Sequence, residues 1–226
     1  MTKAVLITGG SRGIGRATAR LLGARGWSVG VNYAQNLAAA RETVADVERA
    51  GGQALAIAGD VASEADVIAM FDALQQKFGR LDALVNNAGI VAPSSQLADM
   101  DLARLKRMFD VNVLGAYLCA REAARRMSTA RGGAGGVIVN ISSAAARLGS
   151  PNEYIDYAGS KGAVDTLTIG LAKELGPQGV RVNAVRPGLI DTDIHASGGK
   201  PERAAGDRVH VAVAGHVDSH RVGGGG

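Results

Sequence analysis

Residues 8–15 read Thr-Gly-Gly-Ser-Arg-Gly-Ile-Gly and link an apolar run at residues 3–8 to a helical pattern that starts near residue 14. A glycine-rich turn in this place lets the backbone approach a dinucleotide pyrophosphate closely over the N-terminus of the helix. Its spacing is Gly-x-x-x-Gly-x-Gly, which differs from the commoner Gly-x-Gly-x-x-Gly fingerprint. The stretch predicts a strand, a turn and a helix with a dinucleotide site, although a plain glycine-rich turn would have the same composition.

The alternation of a short apolar run with a longer helical pattern continues along the chain. Predicted strands lie at residues 3–8, 28–33, 54–58, 83–86, 136–142 and 180–185. Predicted helices lie at residues 14–24, 37–50, 64–77, 102–127 and 157–175. Strand, helix and strand repeated in this way predict an α/β fold, namely a Rossmann-type doubly wound parallel sheet with helices on both faces in a single domain.

The composition fits a globular protein and excludes several classes of function. The 226 residues are 46% hydrophobic, and the net charge is +4 with the basic residues scattered, so we expect no nucleic-acid partner. No run approaches the roughly 18 apolar residues of a membrane helix, and we recognise no signal peptide, so we expect no membrane association. Cys119 is the single cysteine and cannot form an internal disulfide, so we expect a protein of the reducing cytoplasm.

Tyr157 and Lys161 lie four residues apart in a predicted helix, and Ser143 lies fourteen residues before the tyrosine. Residues at i and i+4 share a helix face, so the phenol and the ammonium would point into the same space. A neighbouring cation favours the phenolate and lowers the pKa of a tyrosine from about 10. With a serine hydroxyl to hold a substrate oxygen, these residues predict nicotinamide-dependent carbonyl or alcohol chemistry. The spacing alone also suits a half-buried tyrosine beside a solvated lysine.

Several motifs in one order resemble the short-chain dehydrogenase/reductase family. The opening turn matches the family's Thr-Gly-x-x-x-Gly-x-Gly at every fixed position. The other matches, in chain order, are Asn86-Asn87-Ala88-Gly89, Asn112, Ser143 with Tyr157-x-x-x-Lys161, and Pro187-Gly188 with Thr192. The resemblance covers residues 3–195, and the chain is similar to the branch of 3-oxoacyl-acyl-carrier-protein reductases and glucose 1-dehydrogenases.

The resemblance implies a role for each matching catalytic residue. Tyr157 is similar to the acid/base of the family, and Lys161 to the residue that tunes its pKa and bonds the nicotinamide ribose. Asn112 is similar to the residue that holds a proton-relay water. Ser143 is similar to the serine that orients the substrate, with Ser142 as the alternative. The expected catalytic residues are therefore Asn112, Ser143, Tyr157 and Lys161.

The expected cofactor site extends over the turns that follow the strands. Its residues are Gly9, Ser11, Arg12, Gly13, Ile14, Gly15, Asn32, Tyr33, Asp60, Val61, Asn86, Ala88, Gly89, Tyr157, Lys161, Pro187, Gly188, Ile190 and Thr192. Asn86 could equally be a buried amide that fixes the sheet, and other positions could reflect turn chemistry alone. We expect no metal site, although His216 and His220 have metal-compatible spacing.

The end of the second predicted strand bears on the choice of cofactor. Residues 31–35 read Val-Asn-Tyr-Ala-Gln and contain no acid to bond the ribose hydroxyls and repel a phosphate. Arg12 in the glycine turn could pair with a 2′-phosphate, or it could be a solvated loop arginine. We expect NADP(H) as the preferred cofactor with NAD(H) as the alternative, and reduction of a ketone or aldehyde as the working direction.

The C-terminus departs from the family pattern. Residues 206–226 hold three of the four histidines and end in four glycines, and the family's last strand is not recognisable. We expect an NAD(P)-binding Rossmann-type catalytic domain at residues 1–195. Residues 196–226 are expected to form an atypical, poorly ordered tail, truncated or frameshifted, with the final strand of the sheet missing.

This departure leaves two hypotheses for function. The first is an NADP(H)-dependent oxidoreductase that transfers hydride between nicotinamide and a small-molecule carbonyl or alcohol. The alternative is a dinucleotide-binding protein with impaired or no catalysis, because the lid over the substrate would be altered. The altered tail argues against the family's homotetramer and is compatible with a homodimer. The loops at residues 91–99 and 144–153 do not identify the substrate.

Overall fold

Six parallel strands form the centre of the molecule in the computed structural model, which describes residues 2–188 and 211–213. The strands are β1 (Ala4–Ile7), β2 (Ser28–Tyr33), β3 (Gln53–Ala58), β4 (Ala83–Asn86), β5 (Gly136–Ile141) and β6 (Val180–Pro187). Their order across the sheet is β3-β2-β1-β4-β5-β6. Because the order reverses between β1 and β4, a crevice opens at the carboxyl ends of these strands, where such sheets bind ligands. The predicted doubly wound fold is confirmed.

Helices pack on both faces of this sheet. They are α1 (Gly13–Gly23), α2 (Leu37–Arg49), α3 (Glu64–Phe78), α4 (Leu102–Phe109), α5 (Gly115–Met127), α6 (Ala145–Leu148) and α7 (Ile155–Leu175). The side chains of Asn36, Ser63 and Asp101 cap α2, α3 and α4 by accepting hydrogen bonds from first-turn N–H groups. Among the described residues, no helix has the length and apolar character needed to cross a membrane.

The hydrophobic core lies on both sides of β1. Val5 and Ile7 pack with α1 and α2, whereas Leu6 packs with α3 and α5. All three residues are fully buried, as is typical of a parallel strand covered on both faces. Burial of each such side chain stabilises the fold by about 1.5–3 kcal/mol. The core therefore fixes the strand ends from which the glycine turn and the other site loops emerge.

The single helix predicted at residues 102–127 is wrong in one respect, because a π turn at Asp110–Leu114 separates α4 from α5. A π turn widens the helix locally and is frequent at functional sites. This turn contains Asn112, which is 1% exposed and forms hydrogen bonds with the main chain of Ile90. The sequence pattern could not predict the turn, because these bonds involve a segment outside the helix.

The edge of the sheet beyond β6 also differs from the expectation. We expected no final strand, but β7 (Val211–Val213) pairs antiparallel with β6 and places Val213 opposite Val185. Apart from β7, the expected poorly ordered tail and the domain boundary at residue 195 lie outside the described residues.

Candidate active site

The glycine turn between β1 and α1 brings the backbone of the turn against the start of the helix. Gly9 and Gly13 have φ angles of 60° and 52°, in the region that favours glycine. A Cβ atom on Gly15 would lie 2.4 Å from the Gly9 carbonyl oxygen, so no larger residue fits there. Arg12 is the N-cap residue, and no side chain caps α1. The first N–H groups of this helix can therefore bind an anion such as a phosphate.

Thr8 and Asn87 join the glycine turn to the turn after β4. The Thr8 hydroxyl oxygen accepts hydrogen bonds from the N–H groups of Asn87 and Ala88, both at 2.9 Å. The Asn87 amide donates to the carbonyl oxygens of Thr8 at 2.9 Å and Gly9 at 3.0 Å. Neither residue was among the expected site residues. Their position in the two matching motifs was the available signal.

Asn32 supports the same turn from β2. Its side-chain oxygen accepts a hydrogen bond from the Gly9 N–H at 3.0 Å, and its amide donates to the Gly59 carbonyl oxygen at 3.0 Å. The residue is 2% exposed. We expected Asn32 to contact the cofactor, but its side chain instead joins β2, the glycine turn and the chain after β3. Tyr33, the next residue, is half-buried at the end of the strand.

Asn86 is a buried amide that joins parts of the core, which is one of the two roles that its sequence position allowed. Its amide donates hydrogen bonds to the Ala116 carbonyl oxygen at 2.8 Å and to the Asn140 side-chain oxygen at 3.2 Å. Asn140 in turn donates to the Thr168 hydroxyl at 2.9 Å. This buried chain of amides links β4, β5, α5 and α7. The Asn86 side chain is committed to the core, whereas Ala88 and Gly89 in the following turn are half-buried.

Asp60 and Val61 lie after β3, where we expected an adenine contact. The Val61 side chain is 5% exposed and packs on Gly115, where an added Cβ would lie 2.7 Å from it. The Asp60 carboxylate accepts hydrogen bonds from the Ala62 N–H at 3.0 Å and from Arg107 at 3.1 Å. Asp60 is half-buried, whereas Val61 belongs to the core.

Tyr157 and Lys161 share one face of α7, as their spacing predicts. The Lys161 ammonium lies 5.6 Å from the centroid of the Tyr157 ring and donates a hydrogen bond to the Ile141 carbonyl oxygen at 2.8 Å. Lys161 is 5% exposed. Burial lowers the pKa of Lys161 to about 8, and the Asp165 carboxylate on the next turn opposes this shift. The ammonium is thus held at the end of β5, beside the phenol.

The pKa of Tyr157 does not follow the expectation that Lys161 lowers it. Burial raises the pKa of Tyr157, and the hydrogen bond with the Ser143 side chain opposes that shift. The Lys161 ammonium donates its hydrogen bond to the Ile141 carbonyl oxygen and not to the phenol. The phenol is therefore protonated at neutral pH.

The two neighbouring serines have different surroundings. Ser143 is half-buried, forms a hydrogen bond with Tyr157 and accepts one from the Ala145 N–H at 3.1 Å. Ser142 is 3% exposed, and its hydroxyl donates to the Lys161 carbonyl oxygen at 3.2 Å. Ser143 thus lies beside the phenol, and Ser142 bonds the backbone of α7.

Asn112 joins the π turn to the chain after β4 and to α7. Its side-chain oxygen accepts from the Ile90 N–H at 2.8 Å, and its amide donates to the Ile90 carbonyl oxygen at 2.9 Å and the Ser160 hydroxyl at 3.1 Å. A Cβ on Gly89 would lie 3.4 Å from both the Asn112 oxygen and the Lys161 ammonium. Asn112, Gly89 and Lys161 therefore border one small space.

The remaining expected residues lie at the end of β6 or beyond. Pro187 is buried and accepts a hydrogen bond from the Ala144 N–H at 2.9 Å, next to Ser143, and Gly188 follows it. Ile190 and Thr192 lie outside the described residues, as do His216 and His220. In the described part of the chain, no three or more His, Cys, Asp or Glu side chains are grouped as a metal site would require.

A nicotinamide dinucleotide fits the residues that the fold brings together. The crowded glycine turn and the uncapped start of α1 suit a pyrophosphate. Lys161 has two further N–H donors beyond the one that bonds Ile141, which suits ribose hydroxyls near the space at Gly89. These features lie along the crevice at the carboxyl ends of β1 and β4, with Tyr157 at one end.

Comparisons with known proteins agree with this geometry. A family model for the short chain dehydrogenase matches residues 3–203. An uncharacterized oxidoreductase of Escherichia coli, YgfF, is 54% identical over 204 residues, which are 90% of this chain and 82% of the relative. A 3-oxoacyl-[acyl-carrier-protein] reductase of Synechocystis is 41% identical over 189 residues, which are 84% of this chain and 74% of the relative.

A solved structure shows the same fold with a cofactor bound. The crystal structure of 3-ketoacyl-(acyl-carrier-protein) reductase from Brucella melitensis, complexed with NADH, superimposes with a TM-score of 0.80 at 34% sequence identity. The match covers 87% of this chain and 79% of that structure. Sequence motifs, fold and relatives are consistent, and the chain belongs to the short-chain dehydrogenase family, whose members are NAD(P)-dependent oxidoreductases acting on CH–OH groups.

Proposed function

We propose that this oxidoreductase reduces a ketone or aldehyde to an alcohol with NADPH, through Tyr157 as the proton donor. The observation that carries the proposal is the arrangement of Ser143, Tyr157 and Lys161 around one buried site. Ser143 hydrogen-bonds the phenol, and Lys161 lies 5.6 Å from its ring. All three residues lie at the end of β5 or on α7, which the core holds rigidly.

The protonation state of Tyr157 favours the reductive direction. When bound, the nicotinamide supplies a hydride to the carbonyl carbon. The Ser143 hydroxyl orients the substrate oxygen, and the phenol donates its proton to that oxygen as negative charge develops. Because burial raises the pKa of Tyr157, the phenol carries this proton at neutral pH. The charged Lys161 stabilises the phenolate that remains.

NADPH is the proposed cofactor because of the charges near the ribose site. The four residues at 33–36 are Tyr, Ala, Gln and Asn, so no carboxylate stands at the end of β2 to repel a 2′-phosphate. Arg12 is exposed and has no ion-pair partner among the described residues. A guanidinium at the start of α1 suits a phosphate. NADH is the alternative, as in the complex of the Brucella relative.

A homodimer is the proposed assembly, through the outer faces of α5 and α7. Tyr117 on α5 is 43% exposed, and Ile155 and Ile169 on α7 are 41% and 51% exposed. Gly159 and Gly162 lie on the same outer side of α7, and a Cβ atom there would meet no other atom within 4 Å. Small residues and exposed aliphatic side chains let a second helix approach closely.

The cytoplasm is the proposed compartment. Cys119 is buried, and burial raises the pKa of its thiol to about 12. A buried protonated thiol behaves as a small apolar side chain and needs no oxidising environment.

The proposed function is tested by adding NADPH or NADH to the purified protein and following intrinsic fluorescence. Loss of reduced-cofactor absorbance is then measured with a panel of ketones and aldehydes. NADPH binding with turnover supports the proposal. Turnover with NADH alone contradicts the cofactor assignment, and binding without turnover would instead identify a dinucleotide-binding protein without catalysis.

A further inference from the structure

Arg104 on α4 is bonded to two other segments of the chain. Its guanidinium donates to the two carboxylate oxygens of Asp156 at 2.8 and 3.3 Å, and a third N–H donates to the Pro93 carbonyl oxygen at 2.6 Å. The Arg104 side chain is 15% exposed, and the Asp156 side chain is not exposed at all. A two-point arginine–carboxylate contact fixes orientation as well as distance.

Asp156 also bonds the backbone of Tyr157, the next residue in the chain. One of its carboxylate oxygens also accepts a hydrogen bond from the Tyr157 N–H at 2.9 Å. Asp156 lies in the first turn of α7, where a negative charge is favourable. The backbone of Tyr157 and the Arg104 guanidinium therefore share one buried carboxylate.

The chain after Gly89 is held to the same framework along its length. Asn112 holds the main chain of Ile90 by two hydrogen bonds, and Arg104 holds the carbonyl of Pro93. The Ser95 N–H donates to the carbonyl oxygen of Glu153 at 3.0 Å, close to the start of α7. We call residues 90–95 the wall segment, because it continues from the space bordered by Gly89, Asn112 and Lys161.

We propose that Arg104 is a positioning residue, which locks the wall segment to the first turn of α7 and so fixes the Tyr157 phenol relative to the substrate carbonyl. The inference rests on the proposed function, since it concerns proton donation by Tyr157. The wall segment acts as a fixed boundary for the substrate. Proton transfer depends on distances of about 3 Å, and a displacement of about 1 Å can slow a reaction roughly 100-fold.

The test separates positioning from stability with single and paired substitutions. Arg104→Met or Asp156→Asn alone leaves a buried charge without its partner, which lowers the Tm. The double variant R104M/D156N removes both charges and should recover most of the Tm. It should still show a kcat lowered about 10–100-fold, with KM for the carbonyl and Kd for NADPH changed less than about threefold.

Arg104→Lys provides a second readout, because it keeps the charge and loses the two-point contact. Its kcat should lie between those of the wild type and R104M. A matched control removes the buried pair of Glu122 and Arg126 on α5, whose contacts run to α3 and not to the site. The single variants E122Q and R126M should lower the Tm and E122Q/R126M should recover most of it, and all three should keep the kcat of the wild type.

The inference is overturned if R104M/D156N recovers kcat together with Tm, or if the control loses kcat as strongly. A wild-type protein with no turnover would contradict the proposed function itself. Amide hydrogen exchange then tests the connection between the wall segment and α7 without a need for turnover. R104M should speed exchange in peptides from the wall segment and from residues 155–160 together. Faster exchange in only one of these peptides, or in neither, contradicts the proposed connection between the wall segment and α7.

Discussion

The Lys161 ammonium donates a hydrogen bond to the Ile141 carbonyl oxygen at 2.8 Å, in a site where the lysine is only 5% exposed. This single carbonyl does not replace the water that the ammonium loses, so burial lowers the pKa of Lys161 to about 8. A positive charge that stabilises a phenolate is thus present at neutral pH and lost in weakly alkaline solution.

Carbonyl reduction should therefore weaken as the pH rises through about 8. Below that pH Lys161 is charged in the free enzyme, and above it the site loses the cation that stabilises the Tyr157 phenolate. The measurement is kcat/KM against pH, which reports groups of the free enzyme. Lys161→Met should lower the activity and abolish the decrease in kcat/KM near pH 8. A decrease in kcat/KM near pH 8 that persists in K161M would show that another group causes it.

The buried Lys161 should also lower the free energy of unfolding at neutral pH. Its pKa of about 8 in the folded protein is below the ordinary 10.5, so the penalty is complete below pH 8 and disappears as the pH rises to 10.5. The difference corresponds to roughly 3 kcal/mol. Lys161→Met should therefore raise the free energy of unfolding at pH 7 more than at pH 10, measured by urea denaturation. An equal change at both pH values would contradict this.

Arg12 should determine the preference for NADPH. Arg12→Ala removes a charged contact to the 2′-phosphate worth about 1.5–3 kcal/mol, so kcat/KM with NADPH should fall about 10–100-fold. The value with NADH should change less than about twofold. Arg25→Ala is the control, because Arg25 is exposed at the other end of α1. An equal loss with both cofactors would place Arg12 at the pyrophosphate or in the fold.

The dimer should depend on the outer face of α7. Ile169→Asp adds a charge at a position that is 51% exposed in the single chain, so the protomer should fold normally. A charge in the proposed interface would be desolvated, and the variant should elute as a monomer in chromatography with light scattering. Leu21→Asp on α1, 54% exposed, should leave the dimer intact. A monomeric wild type would contradict the assembly.

The strands and the glycine turn could be predicted from the sequence because their signals are local. Short apolar runs bounded by turns fix the six parallel strands, and Gly9, Gly13 and Gly15 mark a backbone geometry that only glycine accommodates. The spacing of Tyr157 and Lys161 likewise places them on one helix face, which the structure confirms.

Features that depend on distant partners could not be predicted in this way. Asn32 and Asn86 looked like cofactor contacts, yet the side-chain amide of each donates to a backbone carbonyl oxygen of a distant segment, Gly59 after β3 and Ala116 in α5. The contact between Arg104 and Asp156 joins residues 52 positions apart. The raised pKa of Tyr157 follows from burial, which the adjacent residues in the sequence do not indicate. Tertiary structure decides each of these.

The most direct test of the account replaces Tyr157 with Phe and measures turnover and NADPH binding on the same protein. The change removes one hydroxyl and its hydrogen bond with Ser143, and leaves the ring in place. We expect kcat for carbonyl reduction to fall at least about 100-fold, while Kd for NADPH changes less than about fivefold. Turnover close to that of the wild type would contradict the assignment of Tyr157 as the proton donor.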